Sequence, residues 1–232
     1  MHRGQIGRPL SVSKIRHAHV LVLLALAAGC WRIGEPTTGD AVVAWAAFPD
    51  TVPAGEKFPL EFAGPIAPNA CGRLDTAVAV VTDTAIELSA RRTTYETMCS
   101  DLPISFYEVR SMELLAGSYA IWTAEGRLGR IVAVEGGQFT PMQAVGTGTI
   151  RGIGGCVLFG PGQLGGNQRP FSLTGRAVTD AALAPALGTR RLVHVRGTLS
   201  GFTLCGSFGS RPAILVSEIR VLDRTVRDYY EK

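Results

Sequence analysis

Apolar residues fall in short stretches along most of the chain, broken by glycine, proline and aspartate, and their commonest period is two. Phe58, Leu60 and Phe62 alternate with other positions, the pattern of a strand with one face buried. Similar reasoning predicts strands at Ala41–Phe48, Ala77–Val81, Ala85–Ser89, Ile104–Leu114, Tyr119–Thr123 and Arg130–Glu135. Arg91–Pro103 reads as irregular. After Glu135-Gly136-Gly137-Gln138 the pattern resumes at Ala144–Arg151, Cys156–Phe159, Phe171–Thr174, Phe202–Cys205 and Ile214–Leu222, with a loop at Gly160–Pro170. Between Gly188 and Gly197 a further strand sets Leu192, His194 and Arg196 on one face and Val193 and Val195 on the other. Helical signal is confined to Val178–Leu187, capped by Thr179 or Asp180 and cut short by Pro185. The predicted fold class is therefore mainly β.

One stretch breaks the period of two. Val20–Cys30 (VLVLLALAAGC) is continuously apolar or small, and Arg3, Arg8, Lys14 and Arg16 precede it, with no acid before Glu35. A basic segment, an apolar core and small residues at its end form a secretory signal. The core from Ala18 to Gly29, twelve residues, would span ~18 Å as a helix, short of a bilayer interior of ~30 Å. Its end, Leu26-Ala27-Ala28-Gly29-Cys30, resembles the lipobox of bacterial lipoproteins, with Ala27 where that family prefers leucine. The resemblance implies cleavage before Cys30, lipidation of its thiol, and acylation of the new amine. Ordinary cleavage after Ala25-Leu26-Ala27, leaving Cys30 as a thiol, is the alternative. Trp31 stands where the family uses aspartate for inner-membrane retention, which implies the outer membrane in a cell that has two. Residues 1–29 are read as the signal and 30–40 as a lipidated polar tether.

Removing the signal changes the electrostatics. The chain carries a formal +4, but its excess positive charge lies in the signal; from Cys30 onward there are 19 Lys+Arg and 19 Asp+Glu. That neutrality argues against nucleic acid as a partner. It is also uneven: Glu35–Glu135 holds 14 acids and 7 bases, Thr140–Lys232 holds 5 acids and 11 bases. Two halves of opposite sign suggest two units that attract each other, at 41–135 and 142–225, with a linker at 136–141 and a tail at 226–232. Four cysteines remain besides Cys30, an even number that reads as disulfides in an exported chain. Of three connectivities, Cys71–Cys99 and Cys156–Cys205 keep each bridge within one half. No pair has C-x₂₋₄-C spacing, so no metal site is expected.

Leu115-Ala116-Gly117-Ser118-Tyr119 resembles the corner of immunoglobulin-like sandwiches, where a turn leads to a strand headed by tyrosine. The resemblance implies a tyrosine hydroxyl bonded to the upstream backbone. No tryptophan lies between Cys71 and Cys99, so an antibody-type domain is not implied. From about Met142 to Leu222 the order of elements resembles a small OB-like barrel with one short helix, a second sandwich being the alternative.

Chemistry-bearing motifs are sparse. Gly146-Thr147-Gly148 with Gly152 lacks the strand-to-helix setting of a dinucleotide loop and reads as a strand bend. His194 is the one histidine left after the signal. Ser200 or Ser207 with Asp180 could complete a triad in principle, but neither serine sits in G-x-S-x-G. No catalytic residue, cofactor or metal is predicted. OB-like barrels bind ligands on one sheet face, which makes Arg151, Arg176, Arg196, Phe171 and Phe202 the candidate ligand residues. The sequence thus predicts a non-enzymatic binding or assembly module. A lipid anchor holds it at the cell envelope, and its partner is an envelope protein or an acidic glycan. The alternative is a carbohydrate-binding protein or enzyme using the basic face of the second unit.

Overall fold

The computed structural model describes residues 35–96, 98–162, 170–206 and 209–230, with the side chains at 180 and 182 excepted. Cys30 and the signal lie outside the described residues. The chain is mainly β, and its described residues form fourteen strands in two sheets.

The six-stranded sheet contains β1 (Thr37–Ala41), β3 (Thr51–Pro53), β5 (Gly72–Val81), β6 (Ala85–Thr94), β8 (Gly117–Thr123) and β9 (Gly126–Val134). One edge of β6 pairs with β5, while β1 and β8 share its other edge. β3 runs parallel to β9. Facing this sheet are β2 (Trp45–Pro49), β4 (Lys57–Ala67) and β7 (Ile104–Glu113). Between them lies an apolar core that includes Phe48, Phe58, Leu60, Phe62, Ile86, Ile121 and Ile131. Cys71 and Cys99 form a disulfide with Cα atoms 5.5 Å apart. Tyr119 heads β8, and its hydroxyl donates to the Leu115 carbonyl at 3.1 Å.

The same eight-stranded sheet continues from β2 into β10 (Met142–Ile153) and then closes on itself. β10 pairs with β11 (Cys156–Pro161), β11 with β12 (Phe171–Thr174), β12 with β14 (Ser210–Thr225), β14 with β13 (Arg191–Leu204), and β13 returns to β10. The β12–β14 pairing is parallel and the others in this ring are antiparallel. One turn of helix, α1 (Asp180–Leu183), lies between β12 and β13. Leu183 and Ala186 join Phe159, Phe171, Val193, Val195 and Ile214 inside the ring. Cys156 and Cys205 join the β10–β11 turn to the β13–β14 turn, with Cα atoms 5.4 Å apart.

The run AVVAWAAF explains how the two parts are joined. It is one apolar stretch in sequence, but Thr37–Ala41 belongs to one sheet and Trp45–Pro49 to the other. Ala46 and Phe48 point into the sandwich core, Trp45 and Ala47 into the ring, and Ala44 into a third cluster with Leu192, Val226 and Tyr229. A strand buried on both faces has no solvent side to alternate with, so it reads as a continuous apolar run. Backbone pairing of β2 with β4 on one edge and β10 on the other removes its remaining access to water. Strand pairing therefore runs across residues 136–141, where the charge pattern suggests a linker.

Three local expectations are revised. Residues 37–40 form β1 rather than tether, because ladder bonds to β6 use backbone groups and do not need apolar side chains. β6 continues through Thr94, into the stretch read as irregular. Leu192–Arg196 and Phe202–Leu204 belong to one strand, β13, which ends before Cys205 and whose register shifts between Leu199 and Phe202. Gly197 is not a turn: a Cβ there would lie 2.4 Å from the Leu215 carbonyl oxygen. Gly146 and Gly148 serve the same purpose on β10. Cβ atoms at these two positions would meet the Ala44 carbonyl oxygen at 2.3 Å and the Gly160 carbonyl oxygen at 2.1 Å. The G-x-G motif is thus the place where β10 turns between neighbours.

Trp45 is fully buried and packs at a tilt against Phe171 with centroids 4.8 Å apart, and its indole Nε1 has no hydrogen-bond partner among the described residues. Trp45→Ala should therefore cost about 3–5 kcal/mol in equilibrium urea unfolding. Trp45→Phe should cost clearly less, because it keeps the ring contact and removes the unpaired N–H. Equal losses for the two variants would count against this view of the junction.

Candidate functional site

A cleft of about 570 Å³ lies where β9 of the six-stranded sheet meets β10 and β13. Each wall has a local cause. On β9, Gly129 leaves room for the Phe48 ring, which a Cβ would meet at 2.5 Å. That close approach sets Arg127 and Arg130 at the rim on either side of Gly129. At the β2–β3 corner, the Asp50 carbonyl accepts from the Val132 N–H at 2.9 Å, and the Thr51 N–H donates to Thr140 Oγ1 at 2.9 Å. These bonds fix Asp50 at the mouth. On β13, Arg196 stands across from Val145, on the outer face of the ring. Gln143 on β10 completes the wall.

The charges in this cleft are poorly compensated. Arg127 Nε–H donates to the Gly129 carbonyl at 3.2 Å. Among the described residues, Arg130 and Arg196 make no ion pair and no side-chain hydrogen bond. Burial raises the pKa of Asp50 above its ordinary value, and the attraction of Arg196 and Arg130 offsets that only in part. Three guanidinium groups thus face one carboxylate.

Only one of the candidate ligand residues reaches this cleft. Arg196 lines it, whereas Arg151 lines a separate cleft of about 380 Å³ beside Gly188, Arg190 and Val226. Arg176 is exposed just past β12. Phe171 is 3% exposed and belongs to the ring's interior, while Phe202 is 75% exposed on β13. The structure thus does not bring these five together. Leu158, Ser172 and Ala213 lie in register on the outer side of β11, β12 and β14, and all three are buried. Sequence reasoning missed Asp50, Arg127, Arg130 and Gln143. The spacing Arg-Leu-Gly-Arg around a space-saving glycine was the available signal, but its partners lie far along the chain.

His194 faces outward from the ring, opposite Thr147 and Arg220. Burial lowers its pKa below the ordinary 6.5, Arg220 and Arg196 add to this, and Glu218 opposes it. Among the described residues, no three His, Cys, Asp or Glu side chains come together as a metal site.

Near His194, the last turn of the chain fastens the two parts. Tyr229 is buried beside Leu192 and hydrogen-bonds Thr147, and burial pushes its phenol up to about 12. Arg224 lies 5.8 Å from the Tyr229 ring centroid and bonds Glu125 at 3.0 Å. Arg92 sits 5.9 Å from the Tyr230 ring centroid. The acidic and basic halves therefore do touch, through Arg224 and Glu125.

No protein-family model matches the chain, and no curated protein or solved structure is found similar to it.

The lowered pKa of His194 gives a pH dependence of definite sign. Below about pH 6.5 the unfolded chain takes up a proton that the folded chain resists, so this group's stabilisation is present at neutral pH and lost as the pH falls. Thermal melting between pH 7.5 and about 5 should show a smaller decline for His194→Gln than for the parent chain. A larger decline in the variant would contradict the assignment.

Proposed function

We propose that this chain is an envelope lipoprotein, anchored through Cys30, that acts as a non-enzymatic binding or assembly module. The observation that carries this reading is the chemistry of the main cleft. Its charged lining is three arginines and one carboxylate, a set suited to holding a negatively charged partner. Arginine does not exchange protons near neutral pH, so it positions and neutralises rather than acting as acid or base. The anchor rests on the basic, apolar and lipobox-like succession that ends at Cys30.

The finer fold is read as an immunoglobulin-like sandwich at 41–135 followed by an OB-like barrel at 142–225. Support for the first comes from the Tyr119–Leu115 hydrogen bond. The parallel pairing of β6 with β8 is a departure, since sandwiches of that family are built of antiparallel strands within each sheet. Support for the second comes from the five-stranded ring, with its third and fifth strands parallel and a helical turn between the third and fourth. A carbohydrate site on the outer face of that ring is less well supported, because Leu158, Ser172 and Ala213 are buried there.

The anchor is tested by the intact mass of the protein taken from a membrane fraction, before and after reduction and alkylation. A chain beginning at Cys30, heavier by its acyl groups and alkylated at four cysteines only after reduction, is the expected result. An unlipidated chain recovered from the soluble fraction would sink the proposal.

A further inference from the structure

The main cleft carries more information than a generic basic surface. Arg127 and Arg130 come from β9, and Arg196 comes from β13. Two folding units thus deliver guanidinium groups to one place. Like charges gathered without partners repel, and repulsion of this kind is reduced most directly by a bound anion. Asp50 supplies one negative charge to the lining against three positive ones. The residual charge matches a dianion better than a monocarboxylate. The volume of about 570 Å³ exceeds what an inorganic anion fills and lies in the range of small-molecule clefts. Leu128 offers an apolar surface and Gln143 a neutral hydrogen-bonding group on the same lining.

We infer that this cleft binds the phosphoryl group of a phosphomonoester, with Arg127, Arg130 and Arg196 as its anion ligands and Leu128 and Gln143 beside its organic body. The planar guanidinium fork fits two oxygens of one phosphate, which a lysine cannot match. Asp50 limits affinity by repelling the same group, and it disfavours ligands of lower charge. The inference rests on reading the chain as a binding module and names the ligand class for its cleft. A soluble phosphoester and a phosphomonoester lipid headgroup present the same chemistry.

The test is calorimetric titration of the full chain with inorganic phosphate and pyrophosphate, against sodium chloride at matched ionic strength. Saturable binding of pyrophosphate at one site per chain is expected. Arg130→Ala and Arg196→Ala should each weaken it about tenfold or more. Asp50→Asn should tighten it, while Arg151→Ala and Arg176→Ala, outside the cleft, should leave it unchanged. Melting temperatures of the exposed-arginine variants check that they remain folded. Sedimentation with vesicles containing phosphatidic acid separates the two sources. Pyrophosphate-competed binding supports a headgroup ligand, and no sedimentation alongside pyrophosphate binding supports a soluble one. Heats that superimpose on those of chloride overturn the inference, as would equal weakening by Arg151→Ala or Arg176→Ala. If pyrophosphate fails while the protein still carries its acyl groups at Cys30, the ligand class falls and the anchored-module reading stands.

Discussion

The structure depends on burying β2 from both sides. Strands in most antiparallel sheets present one face to a core and one to water. β2 gives Ala46 and Phe48 to the sandwich, and Trp45 and Ala47 to the ring. The two cores are therefore not independent bodies in contact, because a single strand carries side chains into both. Moving β2 to suit one core would displace residues in the other. Burial of Trp45 alone removes on the order of 200 Å² from water. The fully buried indole with an unpaired N–H shows that packing at this junction outweighs the cost of one lost hydrogen bond.

Sharing a strand also fixes the geometry of the main cleft. Its walls come from β9 on one side and from β10 and β13 on the other. β10 pairs directly with β2, and β3, which follows β2 after one residue, pairs with β9. The cleft is thus bounded by elements tied to the same short stretch of backbone. The C-terminal turn reinforces this from another side, where Arg224 meets Glu125 and Arg92 lies by Tyr230. The ion pair is partly exposed and contributes little by itself. Tyr229, fully enclosed among Ala44, Leu192 and Val226, supplies the larger share through apolar burial.

What could be read from the sequence follows from which interactions are local. Alternation at Phe58, Leu60 and Phe62 located a strand because its period depends only on neighbours. The face assignment of Val193 and Val195 against Leu192 was legible for the same reason, and the two sets do enter different clusters. Both cystine pairings followed from charge and export chemistry. The polar β1 was not legible, because its place is set by the free edge of β6 rather than by its own side chains. The strand predicted between Gly188 and Gly197 runs on through Gly197, because a glycine there admits the close approach of the Leu215 carbonyl, a contact far along the chain. The candidate ligand set failed to converge for a related reason. Phe171 alternates correctly for a strand, but which of its two faces is inward depends on closure of the ring, a long-range event.

The cleft lies at the seam where the ring's outer face at Arg196 meets β9. A seam between units of opposite charge would be expected to neutralise itself, and at Arg224–Glu125 it does. At the cleft it does not. The first unit, though acidic as a whole, places Arg127 and Arg130 there, beside Arg196 of the basic unit. Neutralisation by Asp50 is incomplete, since it sets one negative charge against three positive ones. Because β2 links both walls, the backbone positions that carry these arginines cannot move apart without disturbing two cores. For the anion proposed above, strands held in this way would limit the backbone reordering that binding requires. The strand that joins the cores is, on this view, also what holds the charged cleft open.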